Sequence, residues 1–285
     1  SNTAPMRIQV PLILTLHDII FLENRQGSSK SLYQNMGRCY RRLVVPRILP
    51  KCRKIITVSH FECNRIRETL HLPENKIMAI YNGFSNHFQP LDNIETVTQK
   101  YIPVTGYLFF LGNTDPKKNT PRTLKAYYSY LQQSNEKRPL LIADLKPEFV
   151  DEMLKETGLE NIRPYLYLPG YIPNTDLPFI YNGAFAFLYT SLRESFGIPL
   201  LEAMACGIPV ITSDTSSMPE IGGEGAILTD PTDERSIAAQ LLLLEQDKEY
   251  YQKQSAYGLG RAKCFSWEQT ARELLKLYQS TVKSK

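Results

Sequence analysis

The chain has 285 residues, 42% apolar and 22% charged, an ordinary make-up for a globular protein large enough for one or two cores. No segment approaches 18 uninterrupted apolar residues, so no membrane span is expected. The five cysteines (Cys39, Cys52, Cys63, Cys206, Cys264) lack C-x-x-C spacing, which argues against a thiolate metal motif and a disulfide framework and suits a reducing, cytoplasmic compartment. The net charge of +4 hides an asymmetry: residues 1–100 carry 14 Lys+Arg against 7 Asp+Glu, the remainder 19 against 22. Much of the excess lies in Arg38–Lys54, where cations alternate with apolar residues. That run reads either as the solvated face of a helix ending at Pro46 or as a peripheral contact with anionic lipid at the inner face of the cell membrane. A nucleic-acid partner is not expected, because no recognition motif accompanies the charge.

In chain order, Leu12–Leu16 reads as a strand whose end, His17-Asp18, puts an imidazole on the carboxyl edge of a sheet. A helix covers Arg38–Leu49 with the residues before it. Lys54–Val58 is a strand, and Ser59 caps a helix running to Leu70, with Glu62 at the capping-box position. Ile77–Tyr81 is a third strand, and Asn82-Gly83 a turn. Residues 85–105 have little apolar periodicity and two prolines, the pattern of a connection between domains. Tyr107–Leu111 then opens a second α/β region, followed by the loop Gly112-Asn-Thr-Asp-Pro-Lys-Lys-Asn119. Leu140–Ala143 is a strand ending in Asp144-Leu145, Glu148–Thr157 a helix, and Tyr165–Leu168 a strand leading to Gly170-Tyr171-Ile172-Pro173. A short helix covers Thr175–Tyr181. Beyond Glu220 come a strand at Ile227–Thr229 and helices at Asp233–Leu244, Lys248–Ala262 and Trp267–Tyr278.

The most informative stretch lies between Ala184 and Glu220. Ala184–Tyr189 is a buried strand, Thr190–Ser195 a polar turn, Gly197–Ala205 a helix closed by Gly207, and Val210–Thr212 another strand. In such a unit, loop and helix start meet at the carboxyl edge of a parallel sheet. Backbone N–H groups at Phe196, Gly197 and Ile198 would leave the helix start, where an anion is favoured. Glu194 and Glu202 bracket that start. Two acids suit a ligand that carries hydroxyls as well as phosphate, because carboxylates accept hydrogen bonds from sugar and ribose OH groups.

The spelling Glu194-Ser-Phe-Gly-Ile-Pro-Leu-Leu-Glu202, followed by Ala203-Met-Ala-Cys-Gly-Ile-Pro-Val210, resembles the E-x7-E signature of retaining, GT-B-type glycosyltransferases of the group-1, or family 4, set. The resemblance covers nearly the whole chain. It implies an α/β fold of two Rossmann-like domains: an incomplete N-terminal, acceptor-side domain at 1–95, a nucleotide-sugar domain at 96–265, and a helix at 266–285 crossing back onto the N-terminal domain. The family's glycine-rich loop is missing, so the chain looks truncated, with an acceptor half that leaves its activity in question.

By the same resemblance, His17 faces the donor sugar and Lys118 clamps the diphosphate. Asn113 stands where an arginine is frequent. Glu194 holds sugar hydroxyls, Glu202 the ribose diol, and Ser195, Phe196, Gly197 and Ile198 the phosphates. Gly170 and Tyr171 hold the base, although Tyr171 reads equally as core. Asp144 replaces a usual glycine, which leaves that loop's shape open. No D-x-D is present, so no metal or other cofactor is expected. The expected substrates are a nucleotide-diphosphate sugar, GDP-mannose by preference, and a saccharide or lipid-linked acceptor in surface polysaccharide synthesis. A GT-B-fold nucleotide-sugar epimerase and a non-catalytic nucleotide-sugar-binding fragment are the alternatives.

Overall fold

The computed structural model describes residues 3–5, 7, 10–22 and 32–283. Its contacts divide the chain into two units, Ser1–Gly83 with Ser266–Lys285, and Phe84–Phe265. The elements of the first are β1 (Leu12–Thr15), α1 (Leu32–Ile48), β2 (Cys52–Thr57), α2 (His60–Thr69) and β3 (Ile77–Ala79). Those of the second are α3 (Glu95–Thr98), β4 (Tyr107–Leu111), α4 (Thr120–Gln133), β5 (Leu140–Ala143), α5 (Pro147–Thr157), β6 (Leu166–Gly170) and α6 (Leu177–Gly183), then β7 (Ala184–Tyr189), α7 (Ile198–Ala205), β8 (Val210–Ser213), α8 (Met218–Gly222), β9 (Ile227–Thr229), α9 (Glu234–Gln246) and α10 (Lys248–Ala262). The last helix, α11 (Trp267–Lys283), belongs to the first unit.

In the first unit, β1, β2 and β3 form a parallel sheet in that order. Consecutive residues of a strand face opposite sides, so Ile55 and Ile56 on β2 serve two cores. Ile55 joins Leu14 of β1, Val44, Val45 and Ile48 of α1, and Cys63 and Ile66 of α2. Ile56 joins Ile13, Ile80, Leu274 and Leu277, so α11 covers the other face. The Thr270 hydroxyl also donates to Tyr81 O at 2.6 Å, and Arg53 donates to Thr281 O at 2.8 Å. Gly83 passes so close to this helix that a Cβ there would lie 2.1 Å from Trp267 N, and only glycine allows the crossing. Ser59 Oγ accepts from Glu62 N at 3.2 Å, the expected cap of α2.

Two expectations are corrected here. The first helix does not end at Pro46 but runs through it to Ile48, and its basic face is partly occupied by the chain itself. Arg38 donates to Phe21 O and Arg42 to Leu22 O, while Arg41 lies over the Phe21 ring. The first unit also ends at Gly83, not near residue 95. Residues 84–95 are tied to the second unit: Asn182 accepts from Leu91 N at 2.9 Å and donates to Gln89 O at 2.9 Å, and Phe88 meets Tyr181 edge-on.

The second unit is a six-stranded, wholly parallel sheet in the order β6-β5-β4-β7-β8-β9. The chain therefore winds outward from β4 in one direction and, after β7, in the other. The reversal puts the topological switch point between β4 and β7, the place at whose carboxyl ends open α/β sheets bind ligands. The core strands are apolar on both faces, as strands covered by helices on both sides must be: Leu108, Phe109, Phe110, Leu140–Ala143 and Ala186–Leu188 are all at most 2% exposed. The helix α4 has no counterpart in the sequence reading; its buried face uses Thr120, Thr123, Tyr127 and Tyr130 beside Leu124 and Leu131. The strand β6 sits at Leu166–Gly170 and α6 at Leu177–Gly183, each shifted toward the C-terminus from expectation.

Candidate active site

The two loops at the switch point are held together by backbone and side-chain bonds. After β4 the chain makes a single 3-10 turn, Pro116–Lys118, capped by the Asp115 carboxylate, which accepts from Lys117 N at 3.1 Å. Asn119 then adopts a left-handed conformation (φ 61°) and turns the chain into α4. Its buried amide donates to Thr190 O at 3.0 Å and Pro231 O at 2.7 Å, fastening the β4 loop to the β7 loop and to the end of β9. Leu192 N–H donates to Lys117 O at 2.7 Å, and the Thr123 and Thr190 hydroxyls bond at 2.6 Å.

This fastening brings Lys118 to Glu194, Nζ to Oε1, at 2.6 Å. The backbone at Glu194 is fixed in turn by α8's approach: its N–H donates to Ser216 Oγ at 3.1 Å, and Ser217 Oγ donates to its carbonyl at 3.0 Å. The Lys118 ammonium lies 5.3 Å above the ring of Tyr189, the last residue of β7. Burial, then the Glu194 charge and a hydrogen bond to that carboxylate, raise the Tyr189 phenol far above its ordinary value, and the Glu202 charge acts in the same direction. A neutral phenol donor thus stands among one cation and two acids. It rests on an aromatic wall, stacked on Phe187, which meets Tyr181 and Phe109.

Gly197 begins α7 with φ +98°, and a Cβ there would lie 2.7 Å from Met218 Cε and 3.4 Å from Tyr189 Cε1. The helix start therefore sits directly beside the Tyr189 ring. Pro199 has no N–H and Leu200 N–H already bonds Gly197 O, which leaves the N–H groups of Gly197, itself buried, and Ile198 without a partner inside the helix. Phe196 turns its ring into the core against Phe265, centroids 6.0 Å apart, so only its backbone is placed for a ligand. Ser195 lies half-buried in the same loop. Glu202, half-buried on α7, accepts from Tyr181 OH at 3.4 Å. Burial pushes its carboxyl up to about 7, against the pull of that bond.

Three expected site residues lie further along the edge. Asn113 is exposed, and its Oδ1 accepts from Asp115 N at 2.9 Å, so its amide nitrogen remains the group that can donate to a phosphate. Gly170 ends β6 with φ +76°, and Tyr171 is 71% exposed, which removes the reading of Tyr171 as core. Asp144 takes φ +61°, a left-handed conformation that a glycine also adopts. His17 is half-buried at the end of β1 in the other unit, and burial lowers its pKa. Sequence reasoning missed Tyr189, Asn119, Ser216 and Ser217; an Asn after a Lys-Lys pair at a strand end was the one local signal.

The second unit is thus an open parallel sheet with a lysine, two acids and a helix start at its switch point. The sequence model of the family described as "Glycosyl transferases group 1" matches residues 103–261, and that of "Glycosyltransferase Family 4" matches residues 3–86. The chain belongs to this family and is a glycosyltransferase. It is 32% identical over 271 residues to "O-antigen chain mannosyltransferase B" of Escherichia coli, covering 94% of this chain and 70% of that protein. It is 27% identical to "Serotype-specific mannosyltransferase WbdA" of the same species, over 76% of this chain but only 27% of that one. Among solved structures it is similar to a sucrose-phosphate synthase of Thermosynechococcus elongatus (TM-score 0.75, 21% identity, 96% of this chain and 68% of that one). It is also similar to Anabaena HepE in complex with UDP and glucose (TM-score 0.76, 17% identity, 95% and 72%). Among the described residues, no helix is long and apolar enough to cross a membrane.

Proposed function

We propose that the chain transfers mannose from GDP-mannose to a saccharide or lipid-linked saccharide acceptor, with retention at the anomeric carbon, in surface polysaccharide synthesis. The sugar and the pathway are supported by the names of the curated relatives, two of which are mannosyltransferases of O-antigen or serotype type. The chemistry is supported by one observation above all: the 2.6 Å Lys118–Glu194 pair poised over Tyr189 beside the start of α7.

In this reading the bond from the anomeric carbon to the diphosphate oxygen breaks as the acceptor oxygen bonds to the same face. The acceptor's proton leaves with the departing phosphate oxygen. Lys118 and the N–H groups of Gly197 and Ile198 meet the charge developing on the diphosphate, a role that needs no divalent ion. Asn113 and Ser195 add hydrogen bonds to phosphate. Glu194 holds the sugar hydroxyls near the oxocarbenium-like centre, Glu202 holds the ribose diol, and Gly170 and Tyr171 lie along the base; the family resemblance assigns His17 a role at the donor sugar. Incubation of the chain with GDP-mannose and a mannose-terminated acceptor tests this: GDP release coupled to a new mannosyl linkage is expected. GDP-mannose turnover that yields an epimerised nucleotide sugar without acceptor, or tight donor binding with no turnover at all, would reject it.

A peripheral contact with anionic lipid is supported by the exposed apolar residues Met36 (72%), Tyr40 (53%) and Leu43 (59%), which share one face of α1 beside Arg47. Co-sedimentation with phosphatidylglycerol vesicles, lost in a M36S/Y40S/L43S variant and in high salt, is the expected result.

A further inference from the structure

Along the carboxyl edge of the large sheet, three strand ends stand side by side. Asp144, which follows β5, donates its N–H to Gly170 O at the end of β6 at 2.8 Å. On the other side, Gly112 N–H at the end of β4 donates to Ala143 O at 2.9 Å. The order along the edge is therefore the exposed Tyr171 ring, the exposed Asp144 carboxylate, the Gly112–Asn113 loop, and then the Lys118–Glu194 pair across the switch point. A ligand whose diphosphate lies at Lys118 and whose base lies at Tyr171 must pass Asp144.

Asp144 holds φ +61°, a conformation that glycine adopts freely and that aspartate, though more tolerant of it than most residues, adopts at some cost. Strain of this kind marks a candidate for function when the side chain it introduces has a use. Here the use is a pair of acceptor oxygens next to an aromatic face.

Resting on the GDP-mannose reading above, we infer that Asp144 selects guanine as the base of the donor. Guanine presents two adjacent donors, N1–H and the N2 amino group, and a carboxylate accepts both at once. Uracil presents one N–H flanked by two carbonyl oxygens, which a carboxylate repels. The exposed Tyr171 ring supplies the stacking surface, common to all bases, and Asp144 supplies the discrimination.

Calorimetry on the full chain with GDP, inosine diphosphate and UDP tests this, because inosine lacks only the N2 amino group. The wild-type chain should bind GDP at least about tenfold more tightly than inosine diphosphate, and UDP more weakly still. In Asp144→Gly, GDP affinity should fall by about 10- to 100-fold until GDP and inosine diphosphate bind alike, while UDP affinity rises as the repulsion of its carbonyl oxygens is lost. The melting temperature of that variant should hold or rise, since glycine relieves the strained dihedral, and Asp144→Asn should lose the same preference while keeping the loop. Equal binding of GDP and inosine diphosphate by the wild-type chain, a preference for UDP, or a GDP preference that survives Asp144→Gly overturns the role of Asp144 and leaves the donor site standing. Failure to bind any of the three nucleotides overturns the donor-site reading itself, and this inference with it.

Discussion

Lys118 and Glu194 stand 76 positions apart in the chain, yet the ammonium nitrogen of one lies 2.6 Å from a carboxylate oxygen of the other. Their meeting follows from strand order: β4 and β7 are neighbours, and the loops after them are fastened by Asn119, Thr190 and the Leu192–Lys117 backbone bond. In the reading proposed above, an arriving diphosphate competes with Glu194 for the lysine, and the freed carboxylate becomes available to sugar hydroxyls.

Lys118→Ala and Glu194→Ala should each abolish transfer while leaving the fold intact. For Lys118, loss of one preorganised donor to a developing anion lowers kcat by about 100- to 1,000-fold. An ion pair that water reaches adds little to stability, so melting temperatures should stay within a few degrees of wild type. Steady-state kinetics together with a thermal melt of each variant decide the matter; wild-type turnover in either would remove that residue from the chemistry.

Glu202 makes stability and binding depend on pH in a defined sense. Burial raises its carboxyl to about 7 in the folded chain, from an unfolded value of 4.5. Its contribution to stability is therefore fully present below about 4.5 and is lost as pH rises through about 7. Glu202→Gln should melt like wild type at pH 4.5 and above it at pH 8. If the ionised carboxylate holds the ribose diol, GDP binding at pH 6.5 should release a proton, visible as a buffer-dependent heat in calorimetry and absent from the Gln variant.

Asn119 is the fastening whose removal should cost most in stability. Asn119→Ala leaves the carbonyls of Thr190 and Pro231 without their buried donor and puts a poorly tolerated residue at φ 61°. A loss of about 2–4 kcal/mol is expected in denaturant titrations. Asn119→Gly separates the two causes, since it keeps the dihedral and loses only the bonds, and it should recover part of the stability without restoring turnover.

Gly197→Ala should weaken donor binding more than its small volume suggests. The left-handed dihedral costs about 1–2 kcal/mol for alanine, and the added methyl would meet Met218 Cε at 2.7 Å. Shortening the neighbour in a Gly197→Ala/Met218→Ala double variant removes the clash but not the dihedral strain. Partial recovery of donor affinity is expected from a binding titration, and full recovery would show that the dihedral does not matter.

The sequence made the large sheet legible where apolar runs are unbroken. Tyr107–Leu111, Leu140–Ala143 and Ala184–Tyr189 were read to the residue, because strands covered on both faces carry no polar interruption. The helix α4 escaped for the opposite reason: its buried side is built from threonines and tyrosines, which look polar in a sequence and are buried here against the sheet. Residues 84–95 looked like a connection because their apolar positions have no period, and the contact that holds them, Leu91 to Asn182, spans 91 positions. Of the site, Glu194, Glu202, Lys118 and the α7 start were named from the family resemblance; the structure brings Lys118 to Glu194 and places Glu202 on α7. Tyr189 was not named, since a tyrosine ending an apolar strand cannot be told from packing until the cation above it is seen.

The crossing at Gly83 has a bearing on how this architecture can be re-engineered. The chain leaves the first unit and re-enters it at points that touch, with no room for even a methyl group between Gly83 and Trp267. Segment 84–265 is thus a cassette whose two splice sites are neighbours in space. A cassette from a relative with a different donor should graft there without lengthening either junction, provided position 83 stays glycine.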